Sequence, residues 1–313
     1  MMPVALVTGA RGFVGRHLTK RLLDYGYTVI GTSRFPVSGE NNSSIIELGL
    51  NHVPRITEVL NRYKPDWIFH LAGESSVKKS WTDKQGTFQA NVIASINLFE
   101  AICQSDIASR VKVITVGSAE EYGMIPGHVA IIDEETPLNP VSPYGVSKAT
   151  LSMLVQLYVK AYGLSIVHVR PFNHIGPGQS LGFVTTDFAH QIVQIEKGGR
   201  KPILKVGNLS AKKDFLDVRD IVEAYILLAE HGRSGEIYNV CSGVLTEIRS
   251  ILTELLNLTC IDVRVEQDPS LFRPVESNQV PASNEKLVSH TGWSPRIDLR
   301  DSLADILDYF RQL

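Results

Sequence analysis

The chain has 313 residues, 43% of them hydrophobic, and a formal net charge of −2 at pH 7, enough to bury a large core and to divide into a larger and a smaller lobe. That balance gives no field for nucleic acid or an anionic membrane surface, no apolar run reaches the roughly eighteen residues of a membrane span, and no charged-then-apolar leader precedes the first strand, so a soluble cytoplasmic protein is expected. The three cysteines, Cys103, Cys241 and Cys260, are widely spaced and mostly in apolar contexts, as expected for buried reduced thiols.

The first strand, Val4 to Val7, runs through Thr8 into GARGFVG, and a helix follows with Val14, Leu18, Leu22 and Tyr25 at helical spacing and Gly26 at its end. With a second strand, Tyr27 to Thr32, this opens a βαβ unit. Gly9 permits the tight turn, Gly12 lets the backbone approach a pyrophosphate, and Gly15 lets helix pack on strand, while the helix N-terminus attracts the anion. Gly9, Gly12, Phe13 and Val14 are therefore cofactor candidates. At the end of the second strand stand Ser33 and Arg34, with no carboxylate until Glu40. A hydroxyl and a guanidinium suit a 2′-phosphate, so NADP(H) is expected rather than NAD(H).

Asp66 to Gly73 reads as a buried strand running into a small-residue turn, where Leu71 and Ala72 are further cofactor candidates, and His70 as a satisfied core histidine. Phe88, Val92, Ile96 and Phe99 predict a long helix, and Val111 to Val116 another buried strand. Ser118 closes that strand. Tyr144 and Lys148 follow in SPYGVSK, and positions four apart share a helix face, so the ammonium sits beside the phenol and is expected to lower its pKa toward the working range of an acid–base catalyst. No metal-ligand spacing occurs. A helix with Ile221, Val222, Tyr225 and Leu228 and a strand from Ile237 to Val240 complete a doubly wound parallel sheet of Rossmann type. Residues 1–172 and 217–243 are thus expected to bind NADP(H), and 173–216 and 244–313 to form a smaller substrate lobe.

GARGFVG, DWIFHLAG, GSAEEYG, YGVSK and RPFNHIGPG, in that order, resemble the extended short-chain dehydrogenase/reductase superfamily across essentially the whole chain. The resemblance implies that Ser118, Tyr144 and Lys148 are the catalytic trio, that Lys148 also grips the nicotinamide ribose, that Asn91 is a buried helper, and that Asn173 touches the nucleotide sugar. It further implies a homodimer built on the helices around 88–104 and 146–161, whose apolar faces also suit plain core packing. RPFNHIGPGQSLGFVTTDFAHQI, VGNLSAKKDF, LDVRDIVEAY, YNVCSG and RPVE are similar to the reductases of GDP-4-dehydro-6-deoxy-D-mannose, which make GDP-D-rhamnose. That narrower similarity implies contacts to a GDP-linked 4-keto sugar from Val184, Thr185, Lys205, Asn208, Arg273 and Glu276. Two positions depart from it: Lys213 stands where relatives carry an arginine, giving charge without a bidentate fork, and Gly49 stands where relatives commonly carry an aspartate near the adenine.

GDP-mannose 4,6-dehydratases use the same trio and a glutamate at the position of Glu120, whereas the short segment after Arg34 and the QSLGFVTTDF stretch match the reductases better. A cofactor sensor without turnover is the third possibility, and the intact trio argues against it.

Overall fold

The computed structural model describes residues 3–35, 44–272 and 280–313. Among these the strands run in chain order β1 (Val4–Thr8), β2 (Thr28–Ser33), β3 (Ser44–Glu47), β4 (Trp67–His70), β5 (Lys112–Val116), β6 (Ser165–Pro171), β7 (Asn173–Ile175), β8 (Ile203–Val206), β9 (Lys212–Asp217), β10 (Ile237–Val240), β11 (Leu245–Glu247) and β12 (Arg264–Gln267). Seven of them pair in parallel in the order β10-β6-β5-β4-β1-β2-β3. Such a sheet is covered on both faces, which is why its strands read as near-continuous apolar runs.

Successive residues of one strand feed opposite cores. Val7, Phe69, Ile114 and Val167 meet Leu18, Leu22, Ile221 and Leu228 on one face; Leu6, Ile68, Val113 and Ile166 meet Ile56, Phe99, Ile102, Leu151 and Val155 on the other. The chain runs β1-β2-β3 outward, then returns to place β4 on the far side of β1. The connections therefore diverge at the carboxyl ends of β1 and β4, where open α/β sheets hold their ligands.

The second lobe is built from the sheet β11-β9-β7 and the pair β12-β8. Its core joins Phe188, Ile192, Leu204, Ile251, Leu255, Leu303 and Ile306. Leu287 and Trp293, on the segment assigned by sequence to that lobe, pack instead into the first core. The indole N–H of Trp293 donates to the Asp220 carbonyl at 3.0 Å, and the Asp220 carboxylate accepts the Arg296 and Ile297 backbone N–H groups at 3.0 Å each.

Two expectations need correcting. The long helix through 88–99 is interrupted: Lys84–Phe88 and Ala94–Cys103 are α-helical, but Gln89–Ile93 is a π turn. Of the cysteines only Cys241 is buried, and Cys260 is exposed. No helix among the described residues is long and apolar enough to cross a membrane.

Candidate active site

Gly9 follows β1 with φ +70°, a left-handed conformation natural to glycine, and a β-carbon there would press on the Ala72 backbone at 3.0 Å. Gly12 donates its N–H to the Gly9 carbonyl at 2.9 Å and caps the helix Phe13–Asp24 without any side-chain acceptor for the first-turn N–H groups. Those donors point as an anion site requires. A β-carbon at Gly15 would overlap the Gly9 carbonyl and Ala10, so only glycine lets the helix sit this close to the turn. The turn is tied to the start of the second lobe: Arg16 donates to the Gly178 carbonyl at 3.0 Å and His17 to that of Pro177 at 2.9 Å.

His70, at the end of β4, is the satisfied core residue expected. Ser95 donates to the Asn91 carbonyl at 2.7 Å, so it accepts from His70 Nε2 at 2.9 Å, leaving Nδ1 to accept from Thr8 Oγ1 at 2.9 Å. Burial, helped by the charge of Lys148, lowers the imidazole to about 3 and keeps it neutral. The π turn has a local purpose. It presents Asn91, wholly buried, to the Glu74 N–H at 2.8 Å, the Glu74 carbonyl at 3.2 Å and Ser147 Oγ at 2.9 Å. Ser147 passes its own hydroxyl to the Tyr144 carbonyl at 2.7 Å. One asparagine thereby fixes the turn after β4 to the helix that carries the tyrosine.

That helix, Pro143–Tyr162, begins with Pro143 at its first position and with Ser142 accepting the Gly145 N–H at 3.0 Å. Tyr144 is buried in its first turn. Lys148, one turn on, places its Nζ 5.8 Å from the phenol ring centroid and donates to the Val116 carbonyl at 2.8 Å. Ser118, just past β5, is extended, and its Oγ accepts the Glu120 N–H at 3.1 Å.

The electrostatics differ from the sequence expectation. Burial pushes the Tyr144 phenol up; its hydrogen bond with Ser118 opposes this, but the charges of Glu120, Glu121 and Glu74 reinforce it. The neighbouring Lys148 ammonium is itself lowered by burial to about 8, a fall that the charge of Glu121 limits. Desolvation of two neighbouring groups thus outweighs their mutual influence, and Tyr144 holds its proton at neutral pH.

A cleft of about 580 Å³ opens over the carboxyl edge of the sheet. Its lining brings together Gly9, Gly12, Phe13, Val14 and Leu71 from the glycine turn and the end of β4, Ser118, Glu120, Tyr144 and Lys148, and Asn173 and Lys213 from the second lobe. Asn173 donates to the Asp214 carbonyl at 3.0 Å. Ser33, Arg34 and Ala72 are not part of this lining. Ser33 accepts the Phe35 N–H at 3.3 Å, the Ala72 N–H is held by Thr8 Oγ1 at 3.1 Å, and Arg34 is exposed with its charge felt by Lys79.

The proposed nucleotide contacts are scattered by comparison. Val184 starts the helix Val184–Glu196, and Thr185 beside it is buried. Lys205 lies 3.7 Å from Asp268, and the Asn208 carboxamide oxygen accepts from the Ser210 backbone and hydroxyl at 3.0 and 2.8 Å. Arg273 and Glu276 lie outside the described residues. Sequence reasoning missed two other residues of the cleft wall, Tyr225 and Gln179, whose buried Oη and Oε1 have no hydrogen-bond partner among the described residues. It also missed the buried Glu121. Among the described residues no group of His, Cys, Asp and Glu could hold a metal ion.

A family model described as GDP-mannose 4,6 dehydratase matches residues 6–306. GDP-6-deoxy-D-mannose reductase of Pseudomonas aeruginosa is 33% identical over 301 residues, 96% of this chain and 95% of that protein. UDP-glucose 4-epimerase of Mycolicibacterium smegmatis is 28% identical over 317 residues, covering 98% of each chain. The solved structure of RMD from Pseudomonas aeruginosa complexed with NADPH superposes with a TM-score of 0.88 at 31% identity, over 99% of both chains.

Proposed function

The chain belongs to the GDP-mannose 4,6 dehydratase family, and from its similarity to the GDP-6-deoxy-D-mannose reductase and the NADPH-bound RMD of Pseudomonas aeruginosa we propose that it is an NADPH-dependent reductase converting GDP-4-dehydro-6-deoxy-D-mannose to GDP-D-rhamnose. The observation that carries the proposal is the meeting of the glycine turn with Ser118, Tyr144 and Lys148 in one cleft. The turn from Gly9 to Gly12, followed by a helix whose first-turn N–H groups have no side-chain acceptor, fits a pyrophosphate, and Ser33 with Arg34 suits the 2′-phosphate. When bound, the cofactor supplies the hydride for carbon 4.

Tyr144 does the proton work. Held protonated by burial and by three carboxylates, it donates its O–H to the ketone oxygen, which Ser118 Oγ also holds. Lys148, charged in a substantial fraction at neutral pH, stabilises the phenolate left behind and makes the donation reversible. Asn173 and Lys213, which also line the cleft, are assigned by this reading to the nucleotide half of the substrate.

Glu120 favours a second reading. It lines the cleft two residues from Ser118, where a dehydratase needs a base near carbon 5. The readings separate on stoichiometry. A reductase consumes one NADPH per keto sugar and accumulates no 4-keto product from GDP-mannose and NADP⁺, and Glu120→Gln slows it only modestly. Robust 4-keto formation from GDP-mannose, abolished by Glu120→Gln, would transfer the protein to the lyases. Interconversion of two nucleotide sugars without net cofactor use would transfer it to the epimerases.

The same proposal includes a homodimer. Val146, Met153 and Leu157 are 39%, 66% and 53% exposed along one stripe of the helix Pro143–Tyr162, and Ile93 is exposed on the neighbouring segment. Apolar side chains in such a stripe suit helix-to-helix pairing between subunits.

A further inference from the structure

Behind Ser118 lies a buried charged network whose members do not themselves exchange the transferred proton. Glu121, wholly buried, closes a capping box: its Oε1 accepts the Ser118 backbone N–H at 2.9 Å while Ser118 caps the turn that carries Glu121. The same oxygen meets His168 Nε2 at 3.1 Å, and Oε2 accepts from Arg170 Nε at 2.8 Å. Arg170 goes on to Tyr122 Oη at 3.1 Å and Ser152 Oγ at 3.2 Å. Thr115 Oγ1 holds the other ring nitrogen of His168 at 2.9 Å. Gly117 leaves room for this approach, since a β-carbon there would collide with both Glu121 and His168.

Buried ion pairs are seldom the best route to stability, since apolar residues of like volume often do as well. This one touches the chemistry on two sides. Its carboxylate grips the backbone of Ser118, and its charge acts on Lys148 and Tyr144. We propose that Glu121 is the positioning residue of the proton-transfer site, its ionised carboxylate fixing the backbone of Ser118 beside the phenol. The groups touching it are His168 and Arg170 from β6 and the Ser118 N–H of its own turn, and its charge also acts on Tyr144 and Lys148 of the helix Pro143–Tyr162. Burial works to raise the Glu121 carboxyl, but the charge and hydrogen bond of His168, the charge of Arg170 and the Ser118 N–H outweigh it and hold it below the usual range.

Glu121→Gln keeps the shape and removes the charge. Competitive labelling of Lys148 with acetic anhydride, read by mass spectrometry across pH, should give a midpoint about one unit lower than in the parent, because the lysine has lost a nearby anion. In keto-sugar reduction, an arm that rests on the reductase reading, the alkaline limb of kcat/KM should shift the same way, and plateau kcat should fall about tenfold as the Ser118 N–H exchanges a carboxylate for a weaker carboxamide acceptor. An unmoved labelling midpoint in the folded variant, or one uniform drop in kcat/KM at every pH, overturns the proposal. If Arg170 left unpaired unfolds the variant, the double variant Glu121→Gln, Arg170→Met removes both charges, and the same two outcomes decide. Should the parent not reduce the ketone, the reductase reading fails, while the labelling still tests Glu121.

Discussion

Lys148→Met should stabilise the protein while abolishing its turnover. Burial lowers the Lys148 ammonium from 10.5 to about 8, and at about 1.4 kcal/mol per unit the folded protein carries roughly 3 kcal/mol for keeping that lysine charged at neutral pH. Methionine fills similar volume without charge. It forfeits the hydrogen bond to the Val116 carbonyl, about 1 kcal/mol, leaving a net gain of about 2 kcal/mol. The sign follows from the folded value lying below the unfolded one: the cost is complete below about pH 8 and shrinks as pH rises toward 10.5, where the unfolded chain loses its proton as well. Urea unfolding without added nucleotide, at about pH 7 and about pH 10, is the assay. Loss of stability at neutral pH, or a gain equal at both pH values, would refute the argument.

Tyr144→Phe should lower turnover by at least ~10²-fold with little change in NADPH affinity, as for loss of a general acid, and turnover within a few-fold of the parent would remove the assignment. Arg34→Ala should weaken NADPH far more than NADH, by the ~1.5–3 kcal/mol of one charge-assisted phosphate contact; titration of both cofactors by fluorescence decides, and equal losses would show that Arg34 does not read the 2′-phosphate. Met153→Glu places a charge at the most exposed apolar position of the stripe on its helix and should shift sedimentation from dimer toward monomer at micromolar concentration, whereas an unchanged profile would exclude this helix from the interface.

The glycine turn and the Tyr144–Lys148 pair were legible because each depends on residues a few positions apart, where backbone geometry translates spacing directly into placement. Glu120 and Glu121 show where that legibility ends. Both are acidic and adjacent, and only tertiary packing decides that one lines the cleft while the other is buried against β6. A signal was available: Ser118 and Glu121 form an S-x-x-E capping box, and the reciprocal bonds of such a box bind the glutamate to the turn. The π turn at Asn91 had none, since no glycine or proline marks it. The elevated phenol of Tyr144 and the lowered ammonium of Lys148 depend on desolvation, a property of the assembled interior rather than of a four-residue spacing.

The threading of the chain bears on how the molecule comes apart. The strand β10 joins the edge of the main sheet only after the chain has left through β7, β8 and β9, and the segment carrying Leu287 and Trp293 crosses back again to seal the first core. Neither lobe is a continuous stretch of sequence. A fragment ending before β10 lacks the edge of the sheet, and a fragment beginning after it has no cofactor turn, so separately expressed halves should not fold. Loosening one lobe withdraws pieces of the other, and slow hydrogen exchange should therefore report a single cooperative unit spanning both. A substitution among the cleft residues of the second lobe acts through that same unit, and its cost in stability should be felt at the glycine turn as well.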